Sequence, residues 1–285
     1  MARAVEAGDM LASSDPHGLF VLKLFEADST KFGGAFEGDA LVGFVSSDFK
    51  VAVVRPDRRR RGIGRALVDL GLSMAAASGH RELILGVLPG DSAGQAFLEA
   101  TGFIYHSTVW DLDLPPDAAV AAPVWPDGFA GRPFDRTRDV DAWISVFNAA
   151  FADHATPLQL DPKLIEAGLD DPDNADTDIV LLEERATGEI VGFCNCDMER
   201  RDGEVGEHAE LWTIGVRPDM QGRGFGRQLV RAGVENVRSV GIRNVSLSVN
   251  GRNESALGLY ESEGFVRVRT RDRWTRPVPL AGDRP

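Results

Sequence analysis

The feature that most constrains this chain is an internal repeat. Residues 54–68 and 216–230 are identical at ten of fifteen positions, and the two segments lie 162 residues apart. The same offset pairs Gly102–Phe103 with Gly264–Phe265. A constant offset means that neither copy has gained or lost residues between these points. Because such self-similarity marks repeated structural units, we expect two copies of one fold.

A stretch rich in proline and alanine, residues 115–128, lies between the copies and is typical of a linker. We therefore predict a first domain at residues 1–114 and a second domain at residues 129–285. The length of 285 residues suits two domains of ordinary size.

The second copy has the clearer pattern of secondary structure. Residues 139–151 are amphipathic, with three aromatic side chains spaced four apart on one helical face. Apolar runs and turn residues then predict strands at 179–182 and 189–193 joined by a turn at Thr187–Gly188, a strand at 209–216, a helix at 223–240 ended by Gly241, a strand at 245–249, a helix at 254–262 and a strand at 265–271. The first copy has the same later elements and a shorter front end. This order predicts an α/β (α+β) fold in which each copy is a mixed sheet flanked by helices.

Charge and cysteine content exclude several classes of partner. The net charge of −13 disfavours general binding to nucleic acid or to an anionic membrane. No apolar run reaches membrane-spanning length, and the first residues lack the layout of a signal peptide, so we expect a cytoplasmic protein. Two cysteines are too few for a cysteine-rich zinc site, and no metal is expected.

In each copy a strand leads into the pattern Arg/Gln-x-x-Gly-x-Gly and then into a helix. The glycines let the backbone approach a ligand, and the helix start offers free N–H groups and the positive end of its dipole. Neighbouring arginines add charge-assisted contacts. The pattern predicts a pyrophosphate-type anion site in both copies, formed by Arg59, Arg60, Arg61, Gly62, Ile63, Gly64 and Arg65 in the first and by Gln221, Gly222, Arg223, Gly224, Phe225, Gly226 and Arg227 in the second. A P-loop is excluded because no Gly-Lys-Ser/Thr follows.

These loops, together with Asn-x-x-Ala-x-x-x-Tyr at residues 253–260 and Gly264–Phe265, resemble the GNAT acetyltransferase superfamily. The resemblance implies two tandem GNAT domains, acetyl-CoA as the donor, and direct transfer of acetyl to an amine without an acyl-enzyme. Two patches, residues 148–154 and 210–216, are similar to the mycothiol synthase family of tandem acetyltransferases.

The resemblance also implies roles for individual residues of the second copy. Tyr260 is the candidate general acid beside the CoA sulfur, and its alternative role is as an aromatic of the core. Glu210 is the candidate base, acting directly or through a water, and its alternative is a solvated carboxylate at a strand end. His208 lies two residues earlier on the same strand face and is the alternative base. The residues expected to hold the pantetheine arm are Asn253, which could also be a plain helix cap, and, through their backbones, Ile214, Val216 and, in the first copy, Val54.

The acceptor pocket is expected beside the first helix of the second copy. Its candidate lining residues are Phe151, His154, Cys194, Cys196, His208 and Trp212. The alternative for the two cysteines is a pair of reduced thiols on one strand face. We predict an acceptor that is the primary amine of a small molecule, such as a mycothiol precursor, an antibiotic or a polyamine. A protein N-terminus and a non-catalytic CoA-binding role are the alternatives, and a monomer is expected because tandem copies can replace a homodimer.

The two copies are predicted to be unequal. We take Phe97 as the counterpart of Tyr260, Asp91 as that of Asn253 and Asp48 as that of Glu210. The first copy would then keep its anion loop but lack the acid. We therefore expect CoA binding in both copies and chemistry in the second.

Overall fold

The structure, a computed structural model, describes residues 31–47, 50–87, 90–152, 160, 175–201 and 204–278. The chain divides into two compact units. Residues 1–109 and 270–285 form the first unit, and residues 110–269 form the second. The border falls inside the strands Ile104–Leu114 and Val266–Pro277 rather than at residues 115–128. Each of these two strands supplies residues to both units.

The described part of the first unit contains two groups of strands and two α-helices. Its described elements are β1 (Gly33–Glu37), β2 (Ala40–Ser46), β3 (Val51–Val54), α1 (Ile63–Ala77), β4 (Glu82–Val87), α2 (Ser92–Ala100), the first part of β5 (Ile104–Leu114) and the last part of β11 (Val266–Pro277). Strands β1, β2 and β3 pair antiparallel in that order. Strand β11 lies between β4 and β5 and pairs antiparallel with β4, where Trp274 faces Leu85. The unit is thus completed by residues from the far end of the chain.

The second unit is built on a mixed sheet. Its other described strands and α-helices are β6 (Phe129–Pro133), α3 (Val140–Phe151), β7 (Ile179–Glu184), β8 (Ile190–Arg201), β9 (Glu204–Val216), α4 (Phe225–Ser239), β10 (Asn244–Asn250) and α5 (Glu254–Ser262). The strand order is β11-β5-β10-β9-β8-β7-β6, with β9 and β10 parallel and β6 to β9 antiparallel. The predicted mixed sheet with flanking helices is confirmed. Within the described ranges, no helix is both long and apolar enough to cross a membrane.

Helices α3 and α4 cover opposite faces of this sheet. Phe193 on β8 stacks on Phe147 of α3, with ring centroids 5.3 Å apart. The next residue, Cys194, points to the other face and contacts Gly233 of α4. Because side chains alternate along a strand, β8 serves both cores.

The offset of 162 residues holds through the structure. Helix α4 begins and ends 162 residues after α1, and α5 does the same relative to α2. This register corrects one sequence prediction: Leu98, not Phe97, is the counterpart of Tyr260, while Phe97 corresponds to Leu259. The conclusion that the first copy lacks a hydroxyl here is unchanged, because leucine has none.

Several element ends differ from the predicted ones for physical reasons. Strands β8 and β9 extend beyond the apolar runs as a hairpin of polar and partly exposed residues that pair through their backbones. Helix α4 begins at Phe225 rather than at residue 223, because Gly222 and Gly224 have left-handed φ values of 75° and 82°. Its predicted end is confirmed, since Gly241 has φ of 94°.

Residues 115–128 are packed along α4 within the second unit. The N–H of Val124 donates to Gln228 Oε1 at 2.8 Å, and Arg238 Nη2 donates to the carbonyl of Pro116 at 3.4 Å. Trp125 and Val120 contact the apolar core of the unit. This segment is therefore a strap held against the helix.

Candidate active site

The site begins where β9 and β10 part. Their parallel ladder runs from His208–Asn244 to Glu210–Ser246, although both strands are described well beyond that point. On the other side β9 stays paired with β8, and Arg217 donates its N–H to the carbonyl of Val191 at 2.9 Å. Because backbone groups alternate along a strand, those of Ile214 and Val216 point away from β8 into the gap. This is the place predicted for them beside a pantetheine arm.

A β-bulge lies at the head of the gap. Asn195 and Cys196 are consecutive on β8, whereas their partners Thr213 and Leu211 on β9 are separated by Trp212. Trp212 is the extra residue and is 50% exposed. Bulges bend a strand and break its pairing, which explains why the ladder with β10 ends here. In the first copy Lys50 occupies the same position and has left-handed φ of 57°.

The anion loop of the second copy has the predicted form. Gln221 Nε2 donates to the carbonyl of Val216 at 3.1 Å, which ties the loop to the end of β9. Gly222 and Gly224 make the turn, and no side chain caps the start of α4. The first N–H groups of this 15-residue helix are thus available to an anion.

The first copy repeats this geometry. Arg59 Nε donates to the carbonyl of Val54 at 3.2 Å, as Gln221 does to Val216. Gly62 precedes α1 with φ of 87°, and no side chain caps that helix either. Arg60 takes the place of Gly222 and has φ of 63°. Arg61 lies 3.7 Å from a carboxylate oxygen of Glu37.

Three predicted loop residues have other partners. Phe225 is buried and its ring packs on Phe129, so its side chain is not available to a ligand. Arg227 forms an ion pair with Glu263, which also binds Arg231 Nε at 2.7 Å. Arg223 is exposed and contacts the sulfur of Met220. Of the three side chains, that of Arg223 is the most available to a bound phosphate.

Asn253 caps α5, as its alternative role required. Its side-chain oxygen accepts the N–H of Ala256 at 3.1 Å. Asp91 caps α2 in the same way by accepting the N–H of Gly94 at 2.8 Å. The cap is therefore common to both copies.

Tyr260 is half-buried on α5, with its ring edge-on to Phe265. Across the part of the chain that the structure describes, its hydroxyl has no hydrogen-bond partner. Burial, and to a smaller extent the charge of Cys194, raise the pKa of Tyr260 above its usual value. The hydroxyl therefore keeps its proton at neutral pH and can donate it.

Glu210 is held by residues that lie far apart in the sequence. Ser248 Oγ lies 3.2 Å from Glu210 Oε1 and 2.9 Å from Asp111 Oδ1. Arg269 Nε donates to the other oxygen of Asp111 at 2.9 Å. His208 is exposed on the Glu210 face of β9, as predicted. The sequence showed no link among these residues, because they come from four strands and have no common motif.

The cysteine prediction needs correction. Cys194 and Cys196 do face the same side of β8, with their sulfurs 4.0 Å apart, and both are free thiols. That side is the buried core against α4, opposite the face of Glu210, so neither thiol lines an acceptor pocket there. The hydrogen bond with Cys196, and then burial, raise the pKa of Cys194, which keeps it an unreactive thiol.

Asn195 and Thr213 form a buried polar pair on the Glu210 face that the sequence analysis missed. Asn195 Nδ2 donates to Thr213 Oγ1 at 2.8 Å, and Asn195 Oδ1 is buried with no partner in the described part of the chain. Phe151 packs nearby on the ring of Phe193. The predicted residues His154 and Asp48 lie outside the described ranges.

A sequence model of the acetyltransferase (GNAT) family matches residues 8–103 and 141–265. The chain belongs to the GNAT family. As a GNAT enzyme it is an N-acetyltransferase, and acetyl-CoA is its acetyl donor. The site fits this donor, because the β9–β10 gap suits a narrow arm and the start of α4 suits a pyrophosphate.

Other GNAT proteins resemble this one along most of their length. The mycothiol acetyltransferase of Sanguibacter keddieii is 31% identical over 297 residues, which covers 97% of this chain and 91% of the relative. That of Thermobispora bispora is 31% identical over 286 residues, covering 94% and 90%.

Solved structures support the GNAT fold. A GCN5-related N-acetyltransferase from Sphaerobacter thermophilus has a TM-score of 0.72 at 20% identity, covering 99% of this chain and 93% of its own. A tandem GNAT protein from the clavulanic acid biosynthesis pathway has a TM-score of 0.67 at 17% identity, covering 98% and 96%.

Proposed function

We propose that the second unit carries the chemistry and acetylates the primary amine of a small molecule, the amine precursor of mycothiol being the first candidate. The observation that carries the proposal is the asymmetry at Tyr260. In the second copy a protonated phenol that has no partner among the described residues lies on α5, whereas the first copy has Leu98, a buried side chain without a hydroxyl. The names of the relatives support the choice of acceptor.

Different residues of the second unit have different roles in acetyl transfer. When bound, acetyl-CoA supplies the acetyl group as a thioester. Glu210 takes the proton from the acceptor nitrogen, which frees the electron pair for attack. The N–H of Ile214 faces the gap and donates to the carbonyl oxygen as negative charge grows there. Tyr260 donates its proton to the departing sulfur.

We infer that the first unit keeps a CoA-type anion site without chemistry. Its loop reproduces the Arg59–Val54 tie, the left-handed Gly62 and the uncapped helix start. We keep the division into a first GNAT domain, a strap at residues 115–128 and a catalytic domain as part of the proposal. A monomer follows if the two copies supply each other's dimer partner.

Release of the CoA thiol with a panel of amines tests the proposal. The panel contains cysteinamide, glucosamine, spermidine and a peptide with a free N-terminus. We expect Tyr260→Phe and Glu210→Gln each to lower kcat about a hundredfold or more, since each removes a proton-transfer group. The matched controls are Tyr105→Phe, which changes the other tyrosine of the chain, and Glu207→Gln, an exposed carboxylate of β9.

A second arm locates the donor site. Gly224 and Gly62 have the same left-handed conformation, and a side chain at either would meet open space. We expect Gly224→Ala to lower kcat/KM for acetyl-CoA about ten- to a hundredfold through a displaced loop, and Gly62→Ala to leave it unchanged. Equal losses in the two variants would show that the units share the chemistry. Acetyl-CoA binding without thiol release from any amine would favour the non-catalytic role.

A further inference from the structure

We propose that Ser248 and Asp111 are positioning residues that keep Glu210 hydrogen-bonded in both of its protonation states. The inference rests on the proposed function, in which Glu210 receives the proton of the acceptor amine. Ser248 Oγ lies between Glu210 Oε1, at 3.2 Å, and Asp111 Oδ1, at 2.9 Å. One hydroxyl thus joins two carboxylates from different strands.

Glu210, Ser248 and Asp111 form a row of hydrogen-bonding groups, and Arg269 lies at its far end. It donates from Nε to Asp111 Oδ2 at 2.9 Å, and Asp111 is only 7% exposed. Because an arginine side chain keeps its charge in proteins, it holds Asp111 as a carboxylate. Asp111 Oδ1 is therefore able to accept the Ser248 proton when Ser248 no longer donates to Glu210.

The serine hydroxyl can either donate to Glu210 or accept from it, because a hydroxyl has one proton and two acceptor lone pairs. While Glu210 is ionised, Ser248 donates to it. After the N–H bond of the amine breaks, its electron pair stays on nitrogen and its proton goes to a carboxylate oxygen of Glu210. With that proton on Oε1, Glu210 donates to Ser248 Oγ and Ser248 donates to Asp111. The hydrogen bonds change direction when Glu210 is protonated, and Ser248 is the partner of Glu210 in both states, so Glu210 need not move between them. Because Ser248 has a single proton, Asp111 Oδ1 accepts it only while Glu210 is protonated.

The first unit lacks this arrangement. The counterpart of Ser248 is Gly86, which has no hydroxyl, and the counterpart of Asp111 is Arg273. Gly86 and Arg273 are register partners on β4 and β11, so the backbone frame is present while the side chains are different. The row therefore occurs in the unit that has Tyr260.

Kinetics of Ser248 variants test the inference, with cysteinamide as the acceptor. We expect Ser248→Ala to lower kcat about ten- to a hundredfold with an unchanged KM for acetyl-CoA, because a charged hydrogen bond to the base is lost. Ser248→Thr retains the hydroxyl and should stay within about threefold of the wild type. Ser246→Ala is the matched control, since Ser246 lies on the same strand face and contacts the carbonyl of Ala209 instead. Unchanged kcat in Ser248→Ala, or equal losses in the Ala and Thr variants, would overturn the proposal.

Infrared difference spectroscopy separates this inference from the proposed function. The carbonyl band of protonated Glu210, assigned with Glu210→Gln, needs no acceptor. We expect Ser248→Ala to move this band to higher frequency because the protonated carboxyl loses its acceptor. If no amine supports turnover, the proposed function fails and the band alone decides: a shift supports the row, and an unmoved band refutes it.

Discussion

At the scale of single residues, Arg60 and Gly222 show what the anion loop demands. They occupy the same place in the two copies, and both adopt left-handed φ, 63° and 75°. A side chain at such φ costs about 1 kcal/mol, which glycine avoids. The sequence predicted the loop from its glycines, but it gave no sign that an arginine would take a glycine conformation. The turn requires the left-handed φ in both copies, and the residue type determines only how much free energy that conformation costs.

Two glycines of the second unit separate this backbone effect from steric effects. A side chain would meet open space at both Gly241 and Gly258. Gly241 has φ of 94° after α4, so Gly241→Ala should destabilise the fold by about 1 kcal/mol. Gly258 lies inside α5, where alanine is the better helix former, so Gly258→Ala should stabilise it by about 0.5–1 kcal/mol.

The free energy of unfolding of the two variants, measured by urea denaturation, checks both signs. Each variant serves as the other's control, since the same methyl group is added in each case. Changes of the same sign at the two positions would contradict the explanation from φ.

At the scale of elements, the repeat predicted helices well and strands only in part. Helix α5 begins and ends at the predicted residues, because its cap at Asn253 and its periodicity depend only on residues close together in the sequence. The bulge at Trp212 and the lengths of β8 and β9 depend on how the two strands pair with each other. The sequence of one strand alone does not predict that pairing. The Ser248–Asp111–Arg269 row was equally hidden, since it joins residues 137 and 158 positions apart.

The connection between α4 and α5 should depend on pH through Glu263. This carboxylate is 4% exposed and accepts from Arg227 and Arg231. Burial alone would raise its pKa, but hydrogen bonds from Arg231 and Arg227 outweigh burial and lower it. Because the folded pKa lies below the unfolded value of about 4.3, this stabilisation is present above that pH and is lost as pH falls through the folded pKa.

Glu263→Gln should therefore lower the free energy of unfolding by about 1–3 kcal/mol at neutral pH, and the difference should narrow below about pH 4. Denaturation curves at both pH values provide the measurement. Glu261→Gln, which removes an exposed pair with Arg267, is the control and should cost at most about 1 kcal/mol. A Glu263 effect that stays constant across this pH range would rule out the charge as its source.

At the scale of the whole molecule, the first unit is not a continuous piece of chain, whereas the second unit is. The first unit takes residues 270–285, and β11 supplies Trp274 to its core beside Leu85. The sequence predicted two units from its repeat, but a boundary drawn in the proline-rich stretch assumed that each copy completes its own sheet. Strand order between distant segments is a tertiary property, and no local pattern near residue 270 indicates it.

A fragment of residues 1–109 should consequently fail to unfold cooperatively by itself. It lacks the strand that pairs with β4, and its apolar edge at Leu83 and Leu85 would be uncovered. Adding a peptide of residues 270–285 should restore the fold. The fragment contains no tryptophan, so a blue shift of Trp274 fluorescence reports the association. A peptide of scrambled order is the control, and cooperative unfolding of the fragment alone would contradict the prediction.

The position of β11 in the sequence also determines the order in which the two units fold during synthesis. A domain made first on the ribosome ordinarily folds first. Here the partner of β4 is translated only after the whole second unit, so the first unit must wait with an open sheet edge while the rest of the chain emerges. The half that is made first is therefore the half that is finished last, and it is the half exposed to chaperones and proteases for longest.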